Sequence, residues 1–545
     1  MAKRLIEFSL PLKDISRESA REKSIRHGHI STLHIWWARR PLAAMRAAIF
    51  AALVPAPDTK ADRKELEDLI ATIVDWDQVK EGNSAKVLEA RQRVLDAFDG
   101  KSPRLLDPFM GGGATGLEAL RLGCETHAVE LNPVAHLIEL CTLVYPQKYG
   151  QPEMVRPADA DKPRQARLPG QEEPAQMTMH LPVAEATRNP LADDVQKWGE
   201  WVLERAREEI GHLYENPEGD ETIVGYLWAR TVTCPNPACG AEMPLVRGWW
   251  LAKRKGRRIA LKPIIDQKTK RISFEVVQGD TLKGFNPSDG TSSRGNATCL
   301  FCNQVADAEY VRAEGVAGRM GEMPLAVITD REGKGKNFRP FTEQDIALFE
   351  EATERLTSLK DEAPDESIPI ERKRGNSGFR ILLYGMTQWR DLYNARQLLT
   401  LLILNRKMRA AYDAMIAEGM EVDRAKAVAT YLGILVDRIA DYGASLSRWR
   451  YTVEAIAGTF GRQALPMIWD YTEINPVGET SSWTAFIHWV VRVIEHAAQA
   501  SNKPAQVRQG TATRLPYADG ALDAIITDPP YYDAIAYSDL SDFFY

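Results

Sequence analysis

Two short runs of this chain combine carboxylates with glycines or prolines in ways that suit chemistry on a nucleoside. The first is Asp107–Pro108–Phe109–Met110–Gly111–Gly112–Gly113. Successive glycines let a backbone turn tightly and approach a ligand, and the free N–H groups at the start of a following helix offer it donors. Glu130, further along, brings two acceptor oxygens that suit the paired hydroxyls of a ribose. Dinucleotide sites share this layout, with an acid about 20 residues beyond the glycines. The pattern here is D-P-F-x-G-x-G and not G-x-G-x-x-G, so a purely structural turn stays open as the alternative. The second run is Asp528–Pro529–Pro530–Tyr531. Two prolines remove two donors and stiffen the turn. The Asp528 carboxylate and the Pro529 carbonyl then make an acceptor-only pocket, suited to both hydrogens of an exocyclic amino group. Tyr531 adds a flat face on which a base can stack.

Metal chemistry is the third possibility. The chain has six cysteines in 545 residues, too few for a disulfide scaffold, yet four form the close pairs Cys234/Cys239 and Cys299/Cys302. Such spacing points to Zn2+ sooner than to bridges. Four thiolates close a tetrahedral sphere, which makes the ion structural and not catalytic. Between the pairs, Arg247, Lys253, Arg254, Lys255, Arg257, Arg258 and Lys262 stand beside Trp249 and Trp250. That mixture suits phosphate contact with base stacking, and equally suits a solvated strand face. Arg39 and Arg40 are candidates for a carboxylate or phosphate, because a guanidinium meets either bidentately; a plain surface helix capped by Pro41 is the alternative.

These groups need elements to hold them. Arg104–Asp107 reads as a strand, Ala114–Leu122 as a helix and Thr126–Glu130 as a second strand, a β–turn–α–β unit of a parallel sheet. The apolar strand Leu522–Thr527 leads into Asp528, which puts that residue at a carboxyl end, where open α/β sheets bind ligands. The expected organisation is an N-terminal region with half of an α/β domain over 1–145 and a Pro- and Gln-rich linker over 146–190. An insertion with the cysteines over 191–345, a mainly helical region over 346–500 and a final α/β segment over 501–545 follow. Composition is that of an ordinary globular protein, 44% hydrophobic and 26% charged. Lys+Arg number 69 against Asp+Glu 75, a formal net charge of -6, so any surface for nucleic acid must be local. Residues 1–19 contain no apolar stretch of signal length, and the run Leu398–Leu404 falls far short of the roughly 20 residues that span a bilayer. The expectation is a soluble, cytoplasmic chain.

Taken together, D-P-F-M-G-G-G followed by D-P-P-Y resembles the cofactor and catalytic motifs of amino-group methyltransferases that use S-adenosylmethionine. Their order is similar to the gamma-type arrangement of adenine-N6 DNA methyltransferases. With Leu33–His34–Ile35–Trp36–Trp37–Ala38–Arg39–Arg40–Pro41–Leu42, the cysteine insertion, Arg462–Met467 and Asp528–Ala534, the chain resembles the bacterial and archaeal adenine-specific DNA methylases that contain a zinc ribbon. The resemblance implies a Rossmann-like methyltransferase sheet interrupted by zinc-ribbon and helical insertions. It implies S-adenosylmethionine held by Asp107, Pro108, Phe109, Gly111, Gly113, Glu130 and Thr511, and catalysis by Asp528, Pro529, Pro530 and Tyr531. DNA is the implied partner, with other defence-system proteins, in a restriction or phage-defence setting. Thr511 stands where related enzymes often carry an acid. The chain ends at Phe543–Phe544–Tyr545, where gamma-type sheets continue, so an incomplete sheet is expected. Two other readings stay open: an RNA amino-group methyltransferase, and an inactive DNA-binding or scaffold component.

Overall fold

The computed structural model describes residues 3–155, 186–331, 335–369, 378–531 and 535–545. Residues 156–185 of the linker, and Tyr532, Asp533 and Ala534, lie outside the described residues. The chain is mixed α/β, with one parallel sheet, several antiparallel sheets and long helices.

The N-terminal part contributes helix α1 (Leu42–Leu53), strand β1 (Arg104–Asp107), helix α2 (Ala114–Arg121), strand β2 (Glu125–Glu130) and helix α3 (Pro133–Leu143). The expected β–turn–α–β unit is present, but the arginine-rich segment before Pro41 is not helical. Pro41 has extended backbone and caps α1, which begins at Leu42, as its restricted ring favours at a helix start. Asn132 caps α3, its side chain accepting from the amides of Val134 and Ala135. The linker is bounded by a short ribbon in which Glu153–Val155 pairs with Ala186–Arg188.

An antiparallel sheet forms the second body. Strand β3 (Thr222–Thr233) is buried along almost its whole length, flanked by β4 (Gly321–Arg331) on one side and β6 (Asp470–Ile474) on the other, with β5 (Gly335–Arg339) beyond β4. The sequence places β6 inside a helical region, yet it completes the sheet of the cysteine insertion. The two expected regions are therefore interwoven. Glu473 of β6 explains the docking: it is fully buried and accepts from Arg396 Nε at 2.5 Å, Trp228 Nε1 at 2.8 Å and Asn394 Nδ2 at 3.1 Å. A buried carboxylate persists where its lone pairs are so satisfied.

Helix Pro190–Ile210 buries Leu191, Val195, Trp198, Val202 and Ala206, an apolar stripe at three- and four-residue spacing. It meets α4 (Trp483–Ala498), whose Trp483 Nε1 donates to the Gly199 carbonyl at 2.8 Å. The chain then returns to the parallel sheet through β7 (Gln506–Gln509) and β8 (Ala524–Ile525). The sheet order is β7-β2-β1-β8, every pair parallel. Successive strands run to one side of β1 and then switch to the other, which opens a crevice beyond the carboxyl ends at β1.

Candidate functional site

Asp107 ends β1, Glu130 ends β2 and Asp528 lies just past β8, so three acids meet at the crevice. They line a cavity of about 600 Å³ with Phe109, Gly111, Gly112, Pro529, Pro530 and Tyr531. Residues more than 400 positions apart in the chain thus face one space. Pro108 and Gly113 belong to the turn but do not line the cavity, and Thr511 is also absent from its lining. Thr511 Oγ1 sits 2.9 Å from Thr513 Oγ1.

The glycine turn is built from its acids. Asp107 accepts from the Phe109 amide at 3.0 Å; burial raises its carboxyl above the usual range, against that bond and the hydroxyls of Thr527 and Thr115. Glu130 holds the turn from the other side, accepting from the Gly111 amide and the Asn132 amide at 2.9 Å each. Burial raises its carboxyl too. Each oxygen keeps a second lone pair, so the carboxylate can still accept from a ligand. Gly111 has φ 58°, and a Cβ there would collide with the Trp36 indole. The backbone therefore passes close beneath Trp36, which is stacked on Tyr537 with centroids 6.2 Å apart.

The opposite wall comes from the segment before α1. Trp36, Trp37, Arg39 and Arg40 all line the cavity. Arg39 donates to the His34 carbonyl at 2.7 Å, but its buried Nε has no hydrogen-bond partner. Burial, with Arg438 nearby, draws its guanidinium down to about 9, so it is still charged at neutral pH. Arg40 grips Asp528 with both Nε and Nη2, the second bond at 2.6 Å, and the pairing raises the Arg40 pKa. The acceptor-only pocket read from the sequence is thus engaged by a guanidinium. Tyr531 is 64% exposed and leaves a ring face open. Sequence reasoning missed Leu131, Gln463 and Tyr537, which also line the cavity; the apolar Leu131 directly after Glu130 was the available signal.

The cysteines form one compact group, the four Sγ atoms lying within 4.8 Å of one another. Cys234–Cys302 and Cys239–Cys299 are 3.6 and 3.8 Å apart. Zn–S bonds of about 2.3 Å in a tetrahedron require S···S edges of about 3.8 Å. Each pair closes with a left-handed residue, Gly240 at φ 57° and Asn303 at φ 59°, the two types that accept that conformation most readily. Burial pushes the Cys234 thiol up to about 12, while the Gln304 amide helps draw Cys302 down to about 7. The group is compatible with a structural zinc site. Cys124 and Cys141 are buried single thiols, pushed up by burial.

The basic stretch between the pairs divides. Arg254 and Arg257 both pair with Glu454, at 2.6 and 3.1 Å. Trp249 is buried, its Nε1 donating to the Asp289 carbonyl at 3.0 Å, so it offers no face to a base. No described helix is long and apolar enough to cross a membrane.

Residues 9–72 match a family described as a protein of unknown function (DUF1156). This stretch contains the Trp36–Arg40 wall. No curated protein and no solved structure matches the chain.

Proposed function

We propose that the chain is a DNA methyltransferase of Rossmann-like fold that transfers a methyl group from S-adenosylmethionine to the N6 amino group of adenine. One observation carries this reading: the glycine turn with Glu130 and the Asp528–Pro529–Pro530–Tyr531 turn converge on a single cavity at the carboxyl end of a parallel sheet.

The residues fit the cofactor. Glu130 has free lone pairs for ribose hydroxyls, Arg39 has an orphaned buried Nε for a carboxylate, and a Cβ at Gly112 would press on Arg39 Nε at 3.0 Å. Phe109 and Leu131, 40% and 70% exposed, offer apolar faces beside them. Bound S-adenosylmethionine supplies a methyl on a positively charged sulfur, already strongly electrophilic. The chain's own work is positioning. Adenine's amino lone pair is delocalised into the ring and attacks poorly. Asp528 and the Pro529 carbonyl accept the two amino hydrogens and hold them out of the ring plane, which returns the lone pair to nitrogen. Asp528 is then the nearest acceptor for the proton that nitrogen sheds, and Arg40 must release it first. A base leaving a duplex costs a few kcal/mol, part of which stacking on Tyr531 offsets.

Incubation with labelled S-adenosylmethionine and duplex DNA tests the reading. Label should appear as N6-methyladenine with wild type and not with Asp528→Ala. Equal label from both refutes it.

A further inference from the structure

A cavity larger than the Asp528 cavity lies elsewhere. A cleft of about 1060 Å³ opens between the turn over residues 292–295 and the loop that precedes β6. Its walls carry Arg247, Arg294, Arg312, Arg380, Arg448 and Arg462, and among the described residues no aspartate, glutamate or lysine lines it. Among the described residues none of the six arginines forms an ion pair. Asp470, outside the lining, interacts with Arg247 and is itself raised to about 6 by burial. Arg448 shows the crowding: burial first, then the guanidiniums of Arg247, Arg462 and Arg450, lower its pKa. Some arginines elsewhere are neutralised, as Arg46 is by Glu118 and Arg339 by Asp345.

Six guanidiniums without an ion pair among the described residues repel one another, and an anion of comparable charge lying among them relieves that repulsion. One or two free phosphates do not carry that charge; a polynucleotide, with a negative charge every 1.7 Å or so of duplex, does. The cleft also adjoins the site described above. Arg462 lines the cleft and its neighbour Gln463 lines the Asp528 cavity, where Gln463 Nε2 donates to the Trp37 carbonyl at 3.0 Å. Adjacent Cα atoms are only 3.8 Å apart, so the two cavities meet at this pair of residues.

We infer that this arginine cleft is the phosphate track for the DNA whose target base enters the Asp528 cavity. The base-delivery part rests on the methyltransferase reading; the DNA site itself does not. The sequence pointed instead to the lysine- and arginine-rich hairpin beside Trp250. The cleft draws on residues from widely separated segments, and only Arg247 belongs to that stretch.

The test is fluorescence anisotropy of a labelled DNA duplex with the full chain across a salt series, comparing wild type with the triple variant Arg294→Gln, Arg312→Gln, Arg462→Gln. All three side chains are exposed, so folding is checked by circular dichroism and thermal unfolding, with Arg17→Gln as a distant surface control. The slope of log K against log salt should fall in magnitude by about 2.7, about 0.9 for each phosphate contact removed, and the control should match wild type. A triple variant with the wild-type slope overturns the inference. So does displacement of DNA by inorganic phosphate beyond that by chloride at equal ionic strength, which marks a small-anion site. Tighter arginine-dependent binding of an RNA duplex overturns the assignment to DNA. Calorimetry with S-adenosylmethionine separates the two claims. Arginine-dependent DNA binding without cofactor binding overturns the proposed function and keeps the cleft; cofactor binding with arginine-independent DNA binding overturns the cleft alone.

Discussion

Replacing Cys302 by Ser tests the reading of the cysteine group as a zinc site. Cys302 is half-exposed at the rim, so the smaller, harder oxygen disturbs packing least and changes mainly the ligand set. Structural zinc in small domains contributes about 10–16 kcal/mol at neutral pH, and an equal share among four thiolates is about 3 kcal/mol, or two factors of ten in zinc affinity. The structural consequence is local. Cys234 directly follows β3, and its amide donates to the Ala241 carbonyl at 2.8 Å. Losing the ion therefore frays the end of the central strand of the antiparallel sheet and leaves the parallel sheet intact. Metal analysis after gel filtration should find one zinc per wild-type chain. Competition with a graded chelator should strip Cys302→Ser at about a hundredfold lower chelator strength, and hydrogen exchange should rise around 231–246 and 297–306 only. Stoichiometric zinc in Cys302→Ser with wild-type resistance to the chelator refutes the reasoning. So does a metal-free wild type whose thermal unfolding ignores the chelator.

Three further outcomes follow from buried and paired charges. Glu118 of α2 is fully buried between Arg46 and Arg121, at 2.5 and 3.2 Å; burial works against its charge, but the two guanidiniums outweigh it and hold its carboxyl below the usual range. Glu118→Gln should cost about 3–5 kcal/mol in urea unfolding at pH 7. The wild-type advantage is complete above the unfolded carboxylate pKa and should vanish as pH falls through the lower folded value; an equal deficit at every pH refutes this. Glu139 is the opposite case, fully buried, both oxygens without hydrogen-bond partners and its carboxyl raised well above normal by burial, then by Glu130 and Asp107. The folded state keeps a proton that the unfolded chain loses, so stability falls as pH rises above the unfolded pKa. Glu139→Gln should stabilise the chain more at pH 8 than at pH 5, and a stability gain independent of pH counts against it. Arg40→Gln removes a bidentate pair whose members are 43% and 35% exposed, worth no more than about 1 kcal/mol. If Arg40 competes with the substrate amino group for Asp528, KM for DNA falls up to about fivefold with kcat unchanged; an unchanged or higher KM removes the competition.

Local patterns carried the parallel sheet into the sequence. Strand, glycine turn, helix and strand follow one another over Arg104–Glu130, and every step is set by neighbours a few residues away. The cysteine group was legible for the same reason, since each pair is a tight turn. What stayed hidden depends on pairing across distance. β6 reads as part of a helical region because its five residues are short and carry Asp470 and Glu473; only the buried partners Arg396 and Trp228 make a strand of it. The segment Trp36–Arg40 reads as a helix surface, yet Pro41 stops the helix from extending backward, and aromatic packing fixes the loop. Phe460 lies 5.1 Å from Trp37 and 5.0 Å from Phe543, and Phe544 lies 4.6 Å from His34. That cluster, drawn from three distant stretches, is what brings Arg39 and Arg40 to the cavity.

The net charge illustrates why composition misleads about partners. The acidic surplus of the chain is real, but charge acts through its placement. Several acids are committed to burying arginines inside the fold: Glu118 with Arg46, Glu473 with Arg396, Asp345 with Arg339. Each such pair is needed because an uncompensated buried charge costs several kcal/mol. Glu454 likewise neutralises Arg254 and Arg257, which silences part of the stretch that looks most basic in the sequence. Among the described residues the arginines of the cleft form no such ion pair, although Asp470 lies close enough to feel Arg247. Solubility alone gives no reason to gather six like charges from distant segments into one concave surface while the whole chain is acidic. The anionic ligand proposed above does, and the shared wall formed by Arg462 and Gln463 would set it beside the Asp528 cavity.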